Sequence, residues 1–183
     1  MQNPRSLLLF SWNFLKNPTR NASLVPSSAR ASRQMLEKID FSKIQTIAEL
    51  GPGTGVFTQE ILKRCRPDAK LILIEIERSY IIPLRRQFGH RAIVEHASAH
   101  LLESILNKYG IPQVDLIVSG LPFSVSERET LLNSIQKLTD QGAIFRFFTY
   151  LPHIVKWAYH ALPVRKIAFV TGNFPPLWVY GIN

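Results

Sequence analysis

Three glycines at alternate positions, Gly51, Gly53 and Gly55, constrain the fold of this chain more than any other feature. The apolar run Thr46–Leu50 precedes them and has the length of a buried strand. After them, apolar side chains recur at helical spacing from Phe57 onward. Because glycine has no Cβ atom, the backbone of such a strand–turn–helix unit can approach a ligand closely. The segment predicts an α/β fold with a ligand site at its first turn.

Two acidic residues beside this turn indicate the chemistry of the ligand. Glu49 lies just before the turn, where a carboxylate would repel a pyrophosphate but attract a cation. Glu75 ends the next apolar run, where the second strand of such a unit places a carboxylate that binds a ribose. A nicotinamide or flavin dinucleotide is disfavoured, because its G-x-G-x-x-G fingerprint needs a glycine where Val56 stands. The pattern therefore predicts a nucleoside ligand that carries positive charge.

The rest of the chain alternates short apolar runs with amphipathic segments. This alternation predicts a mostly parallel sheet that is covered by helices on both faces. We expect helices from about residue 57 and over 78–88, 101–109, 127–138 and 152–161. We expect strands near 46–50, 70–76, 92–95, 114–119, 143–150, 166–171 and 177–180.

The first 43 residues form a separate, basic extension in this interpretation. Residues 4–16 can form a short helix that mixes large apolar side chains with basic ends. Such a helix either lies on a membrane surface or packs on the protein's own core. A turn-rich linker then leads to Ser28, which we expect to cap a helix that runs to about Ile39. Seven Lys or Arg residues against two acids in this extension favour docking on an anionic surface.

Composition limits the possible partners and compartment. The net charge of +9 attracts polyanions, either nucleic acid or an anionic membrane, and charge alone does not choose between them. The single cysteine, Cys65, excludes an internal disulfide and a cysteine-rich zinc site. No apolar run approaches the ~20 residues that span a bilayer, and we recognise no signal peptide. We therefore expect a soluble or peripherally bound cytoplasmic protein.

Several motifs together resemble one family of methyltransferases. The segment E-L-G-P-G-T-G, from Glu49 to Gly55, resembles motif I of class I S-adenosylmethionine-dependent methyltransferases. The segment S-G-L-P, from Ser119 to Pro122, is similar to its counterpart in bacterial phospholipid N-methyltransferases. Further similarities lie at residues 25–28, 148–150, 173–176 and 179–180, so the resemblance covers nearly the whole chain.

This resemblance implies a fold, a reaction and a location. The fold would be the Rossmann-like class I methyltransferase fold, with a seven-stranded mostly parallel sheet in residues 44–183. Residues 1–43 would be an N-terminal helical extension that acts as a membrane or substrate lid. With S-adenosyl-L-methionine as cofactor, the enzyme would methylate phosphatidylethanolamine stepwise toward phosphatidylcholine. We expect a cytoplasmic monomer, peripherally associated with the anionic inner membrane, without nucleic acid or metal.

The resemblance also implies which residues carry the reaction. The methyl acceptor would lie against Ser119, Gly120, Leu121 and Pro122. Tyr150, at the end of the fifth strand, is our first candidate for holding the amine, although a packing role in the core fits it equally. The implied cofactor-binding residues are Glu49, Gly51, Pro52, Gly53, Thr54, Gly55, Glu75, Ile76, Ser98, Ala99 and Ser119.

Two alternative functions remain open on sequence grounds. The segment Leu121–Phe123 also resembles part of the N-L-P-Y box of ribosomal RNA adenine dimethylases, whose asparagine accepts a hydrogen bond from the target amino group. Gly120 stands at the asparagine position, which disfavours an RNA adenine acceptor. The second alternative is a cofactor-binding fold that has lost activity and binds membrane or RNA.

Overall fold

The computed structural model describes residues 25–121, 127–171 and 176–183, with side chains from residue 29 onward. The expected helix at residues 4–16 lies outside these residues. Within the described residues, six helices follow one another: α1 (Val25–Met35), α2 (Val56–Arg64), α3 (Arg78–Phe88), α4 (Leu102–Lys108), α5 (Arg128–Asp140) and α6 (Val155–Ala158). Seven strands alternate with them: β1 (Thr46–Leu50), β2 (Lys70–Glu75), β3 (Ile93–His96), β4 (Leu116–Ser119), β5 (Ile144–Thr149), β6 (Arg165–Val170) and β7 (Leu177–Ile182).

The strands form a single sheet in the order β3-β2-β1-β4-β5-β7-β6. Strands β1 to β5 are parallel to one another, and β7 runs antiparallel to both β5 and β6. The central strands are apolar and buried along almost their full length, as strands covered on both faces must be. The order and direction confirm the predicted Rossmann-like methyltransferase fold.

Two hydrophobic clusters pack on opposite faces of the sheet. One contains Met35, Ile61 and Leu84, which belong to α1, α2 and α3 respectively. The other contains residues of α4, α5 and α6, with Phe145 and Phe147 of β5 among its largest members. No helix among the described residues is both long enough and apolar enough to cross a bilayer.

Two predicted elements differ from the structure. The helix expected after Ser28 already begins at Val25 and ends at Met35, so Ser28 lies inside it and does not cap it. Pro26 permits this early start, because a proline in the first helical turn removes an N–H that has no intrahelical partner. The helix expected over 152–161 is a 3₁₀ turn, Pro152–Ile154, followed by the single helical turn of α6.

The ring of Phe147 should contribute strongly to stability, because it lies at the centre of an aromatic stack. Tyr159 and Tyr180 stack on it, with ring centroids 4.0 and 5.6 Å away. We expect Phe147→Ala to lower the free energy of unfolding by about 3–5 kcal/mol, measured by urea denaturation. Phe169→Ala, at a ring that is 46% exposed, is the matched control and should change it by about 1 kcal/mol or less. Equal losses in the two variants would contradict this assignment of the core.

Candidate active site

The glycine turn combines a left-handed backbone with open space beside it. Gly51, Gly53 and Gly55 have φ values of 69°, 55° and 81°, a region that other residues rarely adopt. A Cβ atom on Gly55 would lie 2.3 Å from the ring of Phe88, so the turn packs directly against α3. A Cβ atom on Gly53 would meet nothing within 4 Å. The backbone at Gly53 is therefore accessible to a ligand.

Glu75 is held against the tip of this turn by two backbone hydrogen bonds. Its carboxylate accepts from the N–H of Gly53 at 3.0 Å and from the N–H of Glu77 at 2.8 Å. The side chain is buried at the carboxyl end of β2. A carboxylate has about four lone-pair sites, so acceptor capacity remains for the hydroxyl groups of a ribose.

Glu49 is the most deeply buried carboxyl group near the turn, with 1% of its surface exposed. Its Oε2 accepts a hydrogen bond of 2.7 Å from the Thr58 hydroxyl in the first turn of α2. Its Oε1 is buried and has no hydrogen-bond partner among the described residues. Burial raises the pKa of Glu49 to about 8; the Thr58 hydrogen bond opposes this rise, and the charge of Glu75 adds to it. An unpaired oxygen beside a second carboxylate is suited to a cationic ligand.

The end of β3 lies beside Glu75. The N–H of Ala97 donates to the backbone carbonyl of Glu75 at 3.1 Å, which brings Ser98 and the buried Ala99 to the same edge of the sheet. Ile76, directly after Glu75, is 62% exposed, and such a flat apolar surface fits a planar base. Apart from Ser119 at the end of β4, the predicted cofactor residues are thus gathered at the carboxyl ends of β1, β2 and β3.

The residues expected to face the methyl acceptor lie at the end of β4. Ser119 is buried, and the N–H of Gly120 donates to the Leu50 carbonyl at 2.9 Å. A Cβ atom on Gly120 would lie only 3.0 Å from the Gly51 carbonyl oxygen. Leu121 is half-buried, and Pro122 lies outside the described residues. This close approach of two loops leaves little room for any side chain at position 120.

Aromatic rings line the adjacent end of β5. The rings of Phe57 and Phe148 are stacked with centroids 5.3 Å apart, and Tyr150 meets Phe148 edge-on at 5.8 Å. Tyr150 is half-buried, so its position is compatible with both the acceptor role and the packing role. Among the described residues, no group of three or more His, Cys, Asp or Glu side chains could hold a metal ion.

Three contacts at the candidate site were not predicted from the sequence. The first is the hydrogen bond from Thr58 to Glu49. The position of Thr58, nine residues after Glu49 and at the start of a helix, is a signal from which this bond could have been predicted. His100 makes the other two contacts. Its imidazole contacts the carboxylate of Glu127 and, at 2.8 Å, the hydroxyl of Ser98. The contact between His100 and Glu127 joins the loop after β3 to the start of α5, which follows the acceptor segment. No local sequence pattern connects residues that are so far apart.

A second concave surface lies at the opposite edge of the sheet. It is lined by Gln45, Asp68, Lys70, Gln113 and Asp115, near the amino ends of the strands. The Asp115 carboxylate accepts from the N–H groups of Gln45 and Thr46, both at 2.8 Å. These hydrogen bonds give Asp115 a structural role. The edge of the sheet at the glycine turn therefore remains the candidate active site.

Comparison with known proteins identifies the family to which this chain belongs. Residues 10–128 match the family model described as ribosomal RNA adenine dimethylase. The chain is 31% identical to the ornithine lipid N-methyltransferase of Singulisphaera acidiphila, over 96% of this chain and 95% of that protein. It is 30% identical to ribosomal RNA small subunit methyltransferase A of Mycoplasma capricolum, over 56% of this chain but only 38% of that relative.

Solved structures share the fold at low sequence identity. A SAM-dependent methyltransferase from Aquifex aeolicus superposes with a TM-score of 0.57 at 15% identity, covering 85% of this chain and 96% of that one. Fibrillarin from Aeropyrum pernix, solved with natively bound S-adenosyl-L-methionine, gives a TM-score of 0.61 at 10% identity, covering 85% and 73%. The chain thus belongs to the ribosomal RNA adenine dimethylase family and is a methyltransferase whose cofactor is S-adenosyl-L-methionine.

Proposed function

We propose that this protein transfers methyl groups to the amine of a membrane lipid headgroup. Phosphatidylethanolamine and its methylated forms are the first acceptors to test, and ornithine lipid, named for the relative, is the second. The observation that carries the proposal is the end-to-end match with the ornithine lipid N-methyltransferase, which leaves almost no part of either chain unmatched. Both lipids present a primary amine to the enzyme, so the same chemistry applies to both.

The residues at the carboxyl edge fit S-adenosyl-L-methionine. The bound cofactor supplies a methyl group activated by a positively charged sulfur. We assign Glu75 to the ribose hydroxyls, and Glu49, with its unpaired Oε1, to the cationic part. The remaining proposed cofactor contacts are Gly51, Pro52, Gly53, Thr54, Gly55, Ile76, Ser98, Ala99 and Ser119. The charge on the ligand would offset the energy of keeping two carboxylates close together.

The chain's contribution to the reaction is to desolvate and orient the amine. A primary ammonium has a pKa near ~10, and it must lose its proton before nitrogen can attack. Apolar surroundings lower that pKa, because they disfavour the charged form. The stacked rings of Phe57 and Phe148 supply such surroundings beside Gly120 and Leu121, and Tyr150 can accept or donate a hydrogen bond there. Holding the nitrogen in line with the methyl–sulfur bond would contribute most of the rate.

The family model raises ribosomal RNA as a second acceptor. Two observations disfavour it. Gly120 offers no side-chain amide at the position where the dimethylase box has asparagine, and the Gly51 carbonyl crowds that position. In addition, this chain spans only 38% of the ribosomal RNA methyltransferase that it matches, so most of that enzyme has no counterpart in the alignment.

The acceptor can be identified by label transfer. We expect methyl-labelled cofactor to label lipid in vesicles that contain phosphatidylethanolamine or ornithine lipid, and to leave purified ribosomal RNA unlabelled. Thin-layer separation of the lipids shows which amine is modified and how many methyl groups it receives. Label in the RNA alone would overturn the proposed acceptor, and label in no fraction would favour a protein that binds the cofactor without catalysis.

Glu75→Gln should weaken cofactor binding. Glutamine has a single acceptor oxygen, so its side chain can keep only one of the two hydrogen bonds that the carboxylate accepts from the N–H groups of Gly53 and Glu77. We expect a loss of about tenfold or more in affinity, measured by calorimetry. Glu77→Gln is the matched control, because Glu77 is exposed and only caps α3 through Ser79. Equal affinity in Glu75→Gln and the unaltered protein would remove Glu75 from the site.

Glu49 should make stability depend on pH. The unfolded chain loses this proton near the ordinary pKa of 4.5, whereas the folded chain keeps it until about pH 8. The contribution of Glu49 to the free energy of unfolding is therefore complete below pH 4.5. It is lost as the pH rises to about 8, by up to about 1.4 kcal/mol per pH unit. Glu49→Gln should flatten this decline in urea denaturation of the cofactor-free protein. Parallel pH profiles for the two proteins would show that Glu49 does not titrate as described.

A further inference from the structure

The last quarter of the chain has an unusual composition. Residues 141–183 contain ten aromatic residues and four Lys or Arg residues, but no Asp or Glu. Aromatic and basic side chains without acids are typical of surfaces that contact the interfacial region of a membrane. Whether these side chains form such a surface depends on which of them share one side of the sheet.

A β-bulge brings a lysine and a phenylalanine to the same side of the edge strand β6. Lys166 pairs with Tyr180 and Ala168 pairs with Val179, so β6 has one extra residue between these two pairs. Lys166 and Phe169, three residues apart, would point to opposite sides of a regular strand. With the extra residue, Lys166 shares a side with Tyr180, and Phe169 shares that side with its partner Trp178.

The same side of the sheet carries helix α6. Phe147 pairs with Tyr180 across β5 and β7, and Tyr159, just after α6, stacks on Phe147 at 4.0 Å. Within α6, Lys156 is exposed and Trp157 is 63% exposed. We call the set of Lys156, Trp157, Lys166, Phe169 and Trp178 the aromatic ledge.

The aromatic ledge is open to solvent and is positively charged. Phe169 is 46% exposed and lies 4.7 Å from Trp178, centroid to centroid, so the two rings form one apolar patch. Neither Lys156 nor Lys166 forms an ion pair within the part of the chain that the structure describes. An exposed ring and a half-buried ring, beside two lysines without ion pairs, are complementary to the headgroups of an anionic bilayer.

The position of the aromatic ledge also fits an anionic bilayer as its partner. Trp178 pairs with Thr149, the last residue of β5, so the aromatic pair lies at the carboxyl edge of the sheet. Ser119, Gly120 and the glycine turn end at the same edge. A surface at this edge can lie on a bilayer while the active site faces the headgroups.

We propose that the aromatic ledge docks the protein on an anionic lipid bilayer, with Phe169 and Trp178 at the level of the headgroups. This inference rests on the proposed lipid acceptor, because it explains how a bilayer lipid reaches the site. It concerns residues other than those assigned to cofactor or acceptor binding. It is also independent of the first 24 residues of the chain.

Vesicle binding by full-chain variants that add negative charge to the aromatic ledge tests this proposal. The variants are Phe169→Glu and Lys166→Glu, and the vesicles contain phosphatidylcholine and phosphatidylglycerol in equal amounts. We expect each variant to reduce the bound fraction at a given lipid concentration, with roughly a tenfold weaker partition coefficient in sedimentation. Ile82→Glu, at an apolar side chain on α3 that is 70% exposed, and Lys70→Glu, at the opposite edge, are matched controls that should bind normally.

A water-soluble acceptor separates docking from catalysis. With a short-chain phosphatidylethanolamine below its micelle concentration, Phe169→Glu and Lys166→Glu should methylate at the rate of the unaltered protein, while their rate on vesicles falls. Unchanged vesicle binding in both variants would overturn the ledge and leave the proposed function standing. Phe169-dependent binding without methylation of any lipid would support the ledge and refute the proposed function. A change from dimer to monomer in the variants, with vesicle binding intact, would show instead a contact between copies.

Discussion

The candidate active site depends on the contact between Glu75 and the backbone of the glycine turn. The turn requires left-handed backbone at three positions, and the hydrogen bond from the Gly53 N–H to Glu75 ties its tip to the end of β2. Because Glu75 also accepts from Glu77, the same carboxylate orients the entry into α3. One side chain thus connects two strand ends and a helix, and it places its negative charge beside Glu49.

The two halves of the sheet contribute different parts of the proposed active site, one for the cofactor and one for the acceptor. Strands β1, β2 and β3 end in the acidic and glycine-rich residues that suit a cationic nucleoside. Strands β4 and β5 end in a small residue, Gly120, and in aromatic rings, which suit an amine that must lose its hydration. The two halves meet where the loop at Gly120 touches the loop at Gly51, with a carbonyl oxygen 3.0 Å from the position of an added Cβ. The methyl donor and the acceptor would therefore meet at a junction built from backbone rather than from side chains.

Local patterns in the sequence predicted the fold and the cofactor side of the site. Glycine spacing, a carboxylate before the turn and another at the next strand end are all short-range signals, and the regular alternation of strands and helices gave the sheet. Contacts between distant segments could not be predicted in this way. The His100–Glu127 pair and the stacking of Tyr159 on Phe147 both depend on tertiary packing. The bulge in β6 also escaped prediction, because Ile167 continues the apolar pattern of a regular strand.

The bulge in β6 has a further consequence for association between molecules. As the last strand in the sheet order, β6 has one edge without a partner strand among the described residues, and such an edge can template pairing with another chain. The extra residue bends the strand and interrupts the regular spacing of its N–H and C=O groups. Continuous pairing of two copies of β6 would then lose hydrogen bonds at the bulge. The bulge that places the ring of Phe169 beside Trp178 would in this way also oppose the growth of intermolecular β-sheets.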